Sequence, residues 1–165
     1  MTRALVVCGL LIVALAAPAV AQEPGTRVPV AYQQAITANP FGLIIGWFNA
    51  EYERKLVETW SISLGGSHVS LGDDSEDFTS ANAVFCFYPQ GAALTGFYIG
   101  PRLGFYRVDD IGEPESSAGI GFELGYNWLL GANRIFTIGL GAAATKLFTG
   151  PVVPTIRLVN VGWTF

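Results

Sequence analysis

The sequence predicts an all-β chain, an eight-stranded antiparallel transmembrane β-barrel of up-and-down meander connectivity. Three observations carry that expectation. The chain is 51% hydrophobic but only 13% charged, about half the charged share of an average soluble domain. Its apolar residues recur at every second position, in segments separated by turn signals. No stretch after residue 21 holds eighteen unbroken apolar residues, which leaves no transmembrane helix. The other geometry that pairs every backbone N–H and C=O inside lipid is a closed barrel.

The N-terminus reads as a secretory signal peptide over residues 1–21. Arg3 supplies the positive region, Ala4 to Ala17 the apolar core, and Pro18-Ala19-Val20-Ala21 the small residues before a cut after Ala21. Pro18 interrupts the run, which argues against an uncleaved anchor, and Cys8 lies inside the run rather than at its end, which argues against a lipoprotein. Residues 22–165 then form one barrel domain. Losing residues 1–21 removes one Arg and no acid, so the mature net charge is −5, and an acidic balance disfavours nucleic acid as a partner. Cys86 is the one cysteine left, so neither an intramolecular disulfide nor a Cys-based metal site is expected. No cofactor is implied.

In chain order, the first strand is expected over Val28 to Ile36, with Val28, Val30 and Tyr32 alternating and a turn near Thr37 to Pro40. A short helix over Tyr32 to Ala38 competes with it. Phe41 to Tyr52 follows, with mixed facing. Trp60 to His68 sets Trp60, Ile62 and Leu64 against Ser61, Ser63 and Gly65. Ser80 to Tyr88 sets Phe85 and Phe87 against Cys86 and Tyr88. Thr95 to Arg107 is the clearest: Phe97, Ile99, Leu103 and Phe105 share one face, and Tyr98, Gly100, Arg102, Gly104 and Tyr106 the other. Ala118 to Leu129 sets Ile120, Phe122, Leu124, Tyr126 and Trp128 against Gly119, Gly121, Glu123, Gly125 and Asn127. Ile135 to Leu147 and Pro154 to Phe165 complete the set.

A soluble sheet would carry Lys, Glu and Thr on its polar face; this one carries Gly, Tyr and isolated charges, which suits a narrow closed interior. Short connections near Lys55 to Thr59, Pro89 to Leu94 and Leu130 to Arg134 are expected in the periplasm, and longer acidic ones outside. Trp47, Trp60, Trp128, Trp163, Tyr126 and Phe165 read as interfacial girdle residues.

The final segment, Val159-Asn160-Val161-Gly162-Trp163-Thr164-Phe165, resembles the terminal signature of outer-membrane barrels, alternating apolar residues closing on Phe. With the signal peptide and the strand count, the chain resembles the small eight-stranded group, the OmpA/OmpX-like membrane domains. The likeness covers residues 22–165 as a pattern rather than as matched positions. It implies a monomer in a Gram-negative-type outer membrane, in contact with membrane lipid and lipopolysaccharide, with Val161, Trp163 and Phe165 read by the barrel-assembly machinery. No peptidoglycan-binding segment is expected beyond Phe165, so that part of OmpA activity is not implied.

Three sites stand out. Arg102 and Glu123 both take interior parity, on strands flanking a loop centred near Ile111 to Glu113. A symmetric hairpin would set them directly opposite, positions summing to about 225, as an internal salt bridge that plugs the lumen; an ion-conducting constriction is the alternative. Glu51 and Glu53 are candidates for the same network. His68-Val69-Ser70 resembles the His-x-Ser pair of the lipid A deacylase PagL, and a His base beside a Ser nucleophile suits ester hydrolysis. The pair departs from that family in lying on an early strand and in lacking an evident orienting acid, so it reads first as interfacial polar residues. Asp73, Asp74, Glu76 and Asp77, with Asp109, Asp110, Glu113 and Glu115, place two acidic clusters in outer loops. Their spacing matches no EF-hand loop, and solvated loops without a metal are expected. The function expected is structural or surface-interacting, without catalysis. The alternatives are a lipid A-modifying ester hydrolase using His68 and Ser70, and a small pore or hydrophobic-ligand conduit.

Overall fold

A computed structural model describes residues 32–44, 46–70, 77–109, 115–131 and 133–165. The strands are β1 (Gln34–Ala38), β2 (Trp47–Val57), β3 (Trp60–Val69), β4 (Asp77–Phe87), β5 (Gly96–Asp109), β6 (Glu115–Leu130), β7 (Phe136–Leu147) and β8 (Val152–Thr164). Each pairs antiparallel with its chain neighbours, and β8 returns to β1, so the sheet closes as an eight-stranded meander barrel. Phe165 seals the closure: its carbonyl accepts from the backbone N–H of Gln33 and Gln34, and its N–H donates to Gln34 at 2.9 Å.

The alternation read from the sequence is the alternation of the wall. In β6, Gly119, Glu123, Gly125 and Asn127 point inward and are buried, while Ile120, Phe122, Leu124 and Trp128 point outward and are exposed. β5 does the same with Tyr98, Arg102, Gly104 and Tyr106 inside and Ile99, Leu103 and Phe105 outside. The inward glycines leave the space in which the lumen's large side chains lie. A Cβ on Gly104 would stand 2.7 Å from the Tyr106 ring, and one on Gly141 3.0 Å from Tyr98 Oη.

Three expectations about the N-terminal third are corrected. The first strand is Gln34–Ala38, beginning six residues after Val28; Val28 and Val30 lie outside the described residues. The helix proposed over Tyr32 to Ala38 is replaced by that strand. A one-turn helix, α1 (Pro40–Ile44), instead occupies the residues expected to open the second strand at Phe41, which begins only at Trp47. The reason is local capping. Asn39 Oδ1 accepts from the backbone N–H of Phe41 and Gly42 at 3.0 and 3.1 Å, and Pro40 sits at the first helical position, where its missing N–H costs nothing.

At the short-turn end, the connection from β4 to β5 folds under the barrel. Ala93 N–H donates to Glu58 O at 2.7 Å, and Leu94 is driven into the lumen mouth, 1% exposed, in the left-handed backbone region at φ 73°. A bulky residue rarely adopts that conformation. It joins Ala93, Tyr88, Cys86, Val84 and Tyr98 among the buried apolar side chains of the lower lumen.

Candidate functional site

The distinctive chemistry lies inside the barrel, where Glu51, Glu53, Arg102, Glu123 and Arg157 take part in two linked layers. The lower layer is built around Glu53, brought inward by β2. Its Oε1 accepts from Ser61 Oγ and from Tyr88 Oη at 2.5 Å, and its Oε2 from Asn127 Nδ2 at 3.4 Å. Asn127 Nδ2 also reaches Tyr88 Oη at 3.0 Å. The donors that these bonds bring to Glu53 are all neutral.

The middle layer is ionic. Arg157 Nη1 contacts both oxygens of Glu51 at 2.6 Å, its Nη2 donates to Asn127 Oδ1 at 3.1 Å, and its guanidinium lies over the Tyr98 ring at 5.2 Å. Ser63 Oγ also donates to Glu51 Oε1, at 2.7 Å. Arg102 Nη1 donates to Glu123 Oε2, and Tyr98 Oη to Glu123 Oε1 at 2.8 Å. Tyr98 therefore joins the two ion pairs, stacking on one cation and bonding the other pair's anion. All four charged side chains are nearly inaccessible, at 5% each for Arg102 and Glu123, and 10% and 12% for Arg157 and Glu51. Confinement makes each charge depend on its partner, because bulk water cannot replace it.

Arg102 and Glu123 meet by a different register from the one expected. Arg102 opposes Gly121, and Glu123 opposes Gly100, so the hairpin sum is two residues smaller and the contact runs diagonally. A shift of two keeps both side chains on the inner face, and diagonal neighbours remain within reach of a long side chain. The adjacent Pro101 faces outward and lacks an N–H; the β4–β5 register has no partner for it, passing from Val84↔Arg102 to Phe87↔Ile99.

Arg157 was missed because strand parity points it at lipid, alongside Val159 and Val161. The pairing of β7 with β8 steps from Gly139↔Asn160 to Gly141↔Arg157, giving β8 one extra residue. That bulge inverts the facing of everything beyond it. Below it Asn160, Gly162 and Thr164 point inward; above it Arg157 does, while Ile156 and Leu158 turn outward and are exposed. A long apolar alternation interrupted by one Arg is the only trace of this in the sequence.

The other expected sites are not brought together. His68 faces outward at the long-loop end of β3, and its Nδ1 shares a hydrogen bond with Thr79 Oγ1 at 3.0 Å across the ladder. Ser70 follows the strand, its backbone N–H donating to Gly46 O at 3.3 Å. Of the acidic clusters, Asp73, Asp74, Glu76, Asp110 and Glu113 lie outside the described residues. Asp77, Asp109 and Glu115 are corrected from loop to strand ends, with Asp77 directly opposite Asp109. Among the described residues no group of acids, His or Cys is arranged to hold a metal ion.

No family model and no curated protein matches the chain. Among solved structures it is similar to Ail, the attachment invasion locus protein of Yersinia pestis, with TM-score 0.45, 15% identity, and 81% of this chain against 99% of that one. It is also similar to the N-terminal β-barrel domain of Pseudomonas aeruginosa OprF, with TM-score 0.47, 15% identity, and 80% of this chain against 94% of that one. A likeness at this level carries no functional argument, so function rests on this barrel's own surfaces.

Those surfaces are sorted by height. Trp60 stacks against Phe85 with ring centroids 4.7 Å apart and lies the same distance from Phe87. Tyr126 meets Trp128 at 4.5 Å, and Phe136 meets Trp163 edge-on at 6.3 Å. All of these aromatic contacts sit toward the short-turn end. Val161, Trp163 and Phe165 lie beside them, with Trp163 and Phe165 exposed on the outer wall. Trp47 is corrected: it stands at the opposite end, and its indole nitrogen is buried without a protein partner.

Proposed function

We propose that this chain is a small outer-membrane β-barrel protein, exported through a signal peptide cut after Ala21, with a structural or surface-interaction role. The observation that supports it is the inversion of the wall. Leu103 is 61% and Phe122 66% exposed, while Arg102 and Glu123 beside them in sequence are buried. In water this exterior would be one apolar patch far beyond the few hundred Å² that soluble monomers tolerate; in lipid it is the favourable surface. β2 to β8 run 10 to 16 residues, and about 9–11 tilted residues cross a bilayer. The aromatic band near the short turns suits the periplasmic interface.

On this reading membrane lipid and lipopolysaccharide cover the exterior, the acidic loops face outward, and Val161, Trp163 and Phe165 serve the assembly machinery. The lumen is filled by side chains, and the barrel is a monomer without enzymatic activity. The test is fractionation. The protein is expected in the outer-membrane fraction after carbonate washing, with its N-terminus at Gln22, running faster on unheated than on heated detergent gels. Release into buffer without detergent would refute membrane residence. Lipid A from cells with and without the protein is expected to carry the same acyl chains; loss of a chain that depends on Ser70 would restore the hydrolase alternative.

A further inference from the structure

Two residues, Glu58 and Thr59, join β2 to β3 at the short-turn end, whereas eight, Tyr88 to Thr95, join β4 to β5. The extra length turns back under the barrel and buries Ala93 and Leu94 to 0% and 1% exposure. Leu94 is held there in the left-handed backbone region, at φ 73°. We propose that this connection is a strained stopper in the short-turn mouth of the lumen, which swings out on Gly91 and Gly96 and admits water to the layer around Glu53 while the wall stays folded.

The bonds that seat the stopper lie outside the β4–β5 ladder. Ala93 N–H donates to Glu58 O at 2.7 Å, Gln90 Oε1 accepts from Phe97 N–H at 2.9 Å, and Thr95 Oγ1 donates to Asn127 O at 3.4 Å. Gln90 is exposed, so water can take its place in that bond. The seat of Leu94 is polar and loosely filled. It lines one cavity with Glu53, Asn127 and Thr137, about 290 Å³ of empty space counting what opens to solvent. A side chain bordering a void forfeits dispersion contacts on that side. The left-handed backbone of a bulky residue persists only while its surroundings hold it there, so swinging out relieves Leu94. Gly91 at φ 76° and Gly96 at φ 90° flank it. Glycine moves between positive and negative φ without penalty, so these two positions can absorb the hinge motion. The Arg157–Glu51 and Arg102–Glu123 pairs lie in the layer above the stopper and keep the lumen shut. Opening therefore wets the lower layer without making a pore.

Cys86 reports the opening. It is buried in one cluster with Tyr88 and Ala93, and it is the one cysteine of residues 22–165. The barrel, refolded in nonionic detergent, is treated with methyl methanethiosulfonate. Labelling is timed by mass and compared with the rate at which the folded band is lost on unheated gels. Cys86 of the parent is expected to label faster than the folded band is lost, as a local opening requires. Leu94→Ala is expected to label about tenfold faster than the parent, since truncation empties the seat and keeps the strain. Leu94→Gly is expected to fall between the two, because glycine removes the strain that favours opening. Labelling of the parent that only tracks loss of the folded band would overturn the proposal. So would Leu94→Ala labelling no faster than the parent, or Leu94→Gly labelling as fast as Leu94→Ala.

Discussion

Replacing Arg157 with Met should destabilise the barrel more than any other single change in the lumen. The side chain is lost from two 2.6 Å contacts with Glu51, a 3.1 Å bond to Asn127 and the face of Tyr98 at 5.2 Å. Glu51 is left 12% exposed with Ser63 as its one described donor. Removing one partner of a buried pair costs about 3–5 kcal/mol. At a slope of about 2 kcal/mol per M urea, that moves the unfolding midpoint down by about 1.5–2.5 M. Glu51→Leu should cost somewhat less, because Arg157 keeps Asn127 and Tyr98. The double variant Arg157→Met/Glu51→Leu should lose less than the sum of the two, since no uncompensated charge remains. Urea titration of the refolded barrel, followed by tryptophan fluorescence and gel mobility, reads all three. If the single losses add to within about 0.5 kcal/mol of the double, the residues are uncoupled, and the bulge that brings Arg157 inward is wrong.

Gly141→Ala is expected to cost about 1–3 kcal/mol by overpacking, because its Cβ would meet Tyr98 Oη at 3.0 Å, Leu124 O at 3.2 Å and Arg157 Nε at 3.3 Å; an unchanged urea midpoint would show that Tyr98 yields freely. Tyr88→Phe removes the 2.5 Å donor to Glu53 and should cost about 1–3 kcal/mol, measured in the same titration. In planar bilayers the parent is expected to be silent, and Arg102→Met/Glu123→Leu to stay silent because the Arg157–Glu51 pair still blocks the lumen. Conductance that appears in that double variant alone would make the Arg102–Glu123 pair the effective gate.

Much of the barrel was legible because period-2 alternation is a local property. Every strand from Trp60 onward was identifiable from which residues share a face, since a pleated strand presents alternate side chains to opposite sides. Arg102 and Glu123 were found by the same rule, and a register error of two residues did not matter, because it preserves parity. The first strand and the start of the second were misread because the decisive signal was not alternation but the capping of five residues by Asn39 and Pro40. The hydrophobic Phe41, Leu43 and Ile44 of that turn are as apolar as any strand.

By itself, then, the sequence determined the closed, inside-out wall, its meander order and the inward aim of most lumen residues, because those follow from the alternation of neighbours along one strand. The tertiary structure decided which charges meet. Arg157 enters the lumen only because one extra residue in β8 is absorbed against β7, and a bulge is a property of two strands together. Glu51 gains its cation from Arg157, and Tyr98 the guanidinium over its ring, only once the sheet has closed and distant strands come to share one narrow interior from which water is largely excluded.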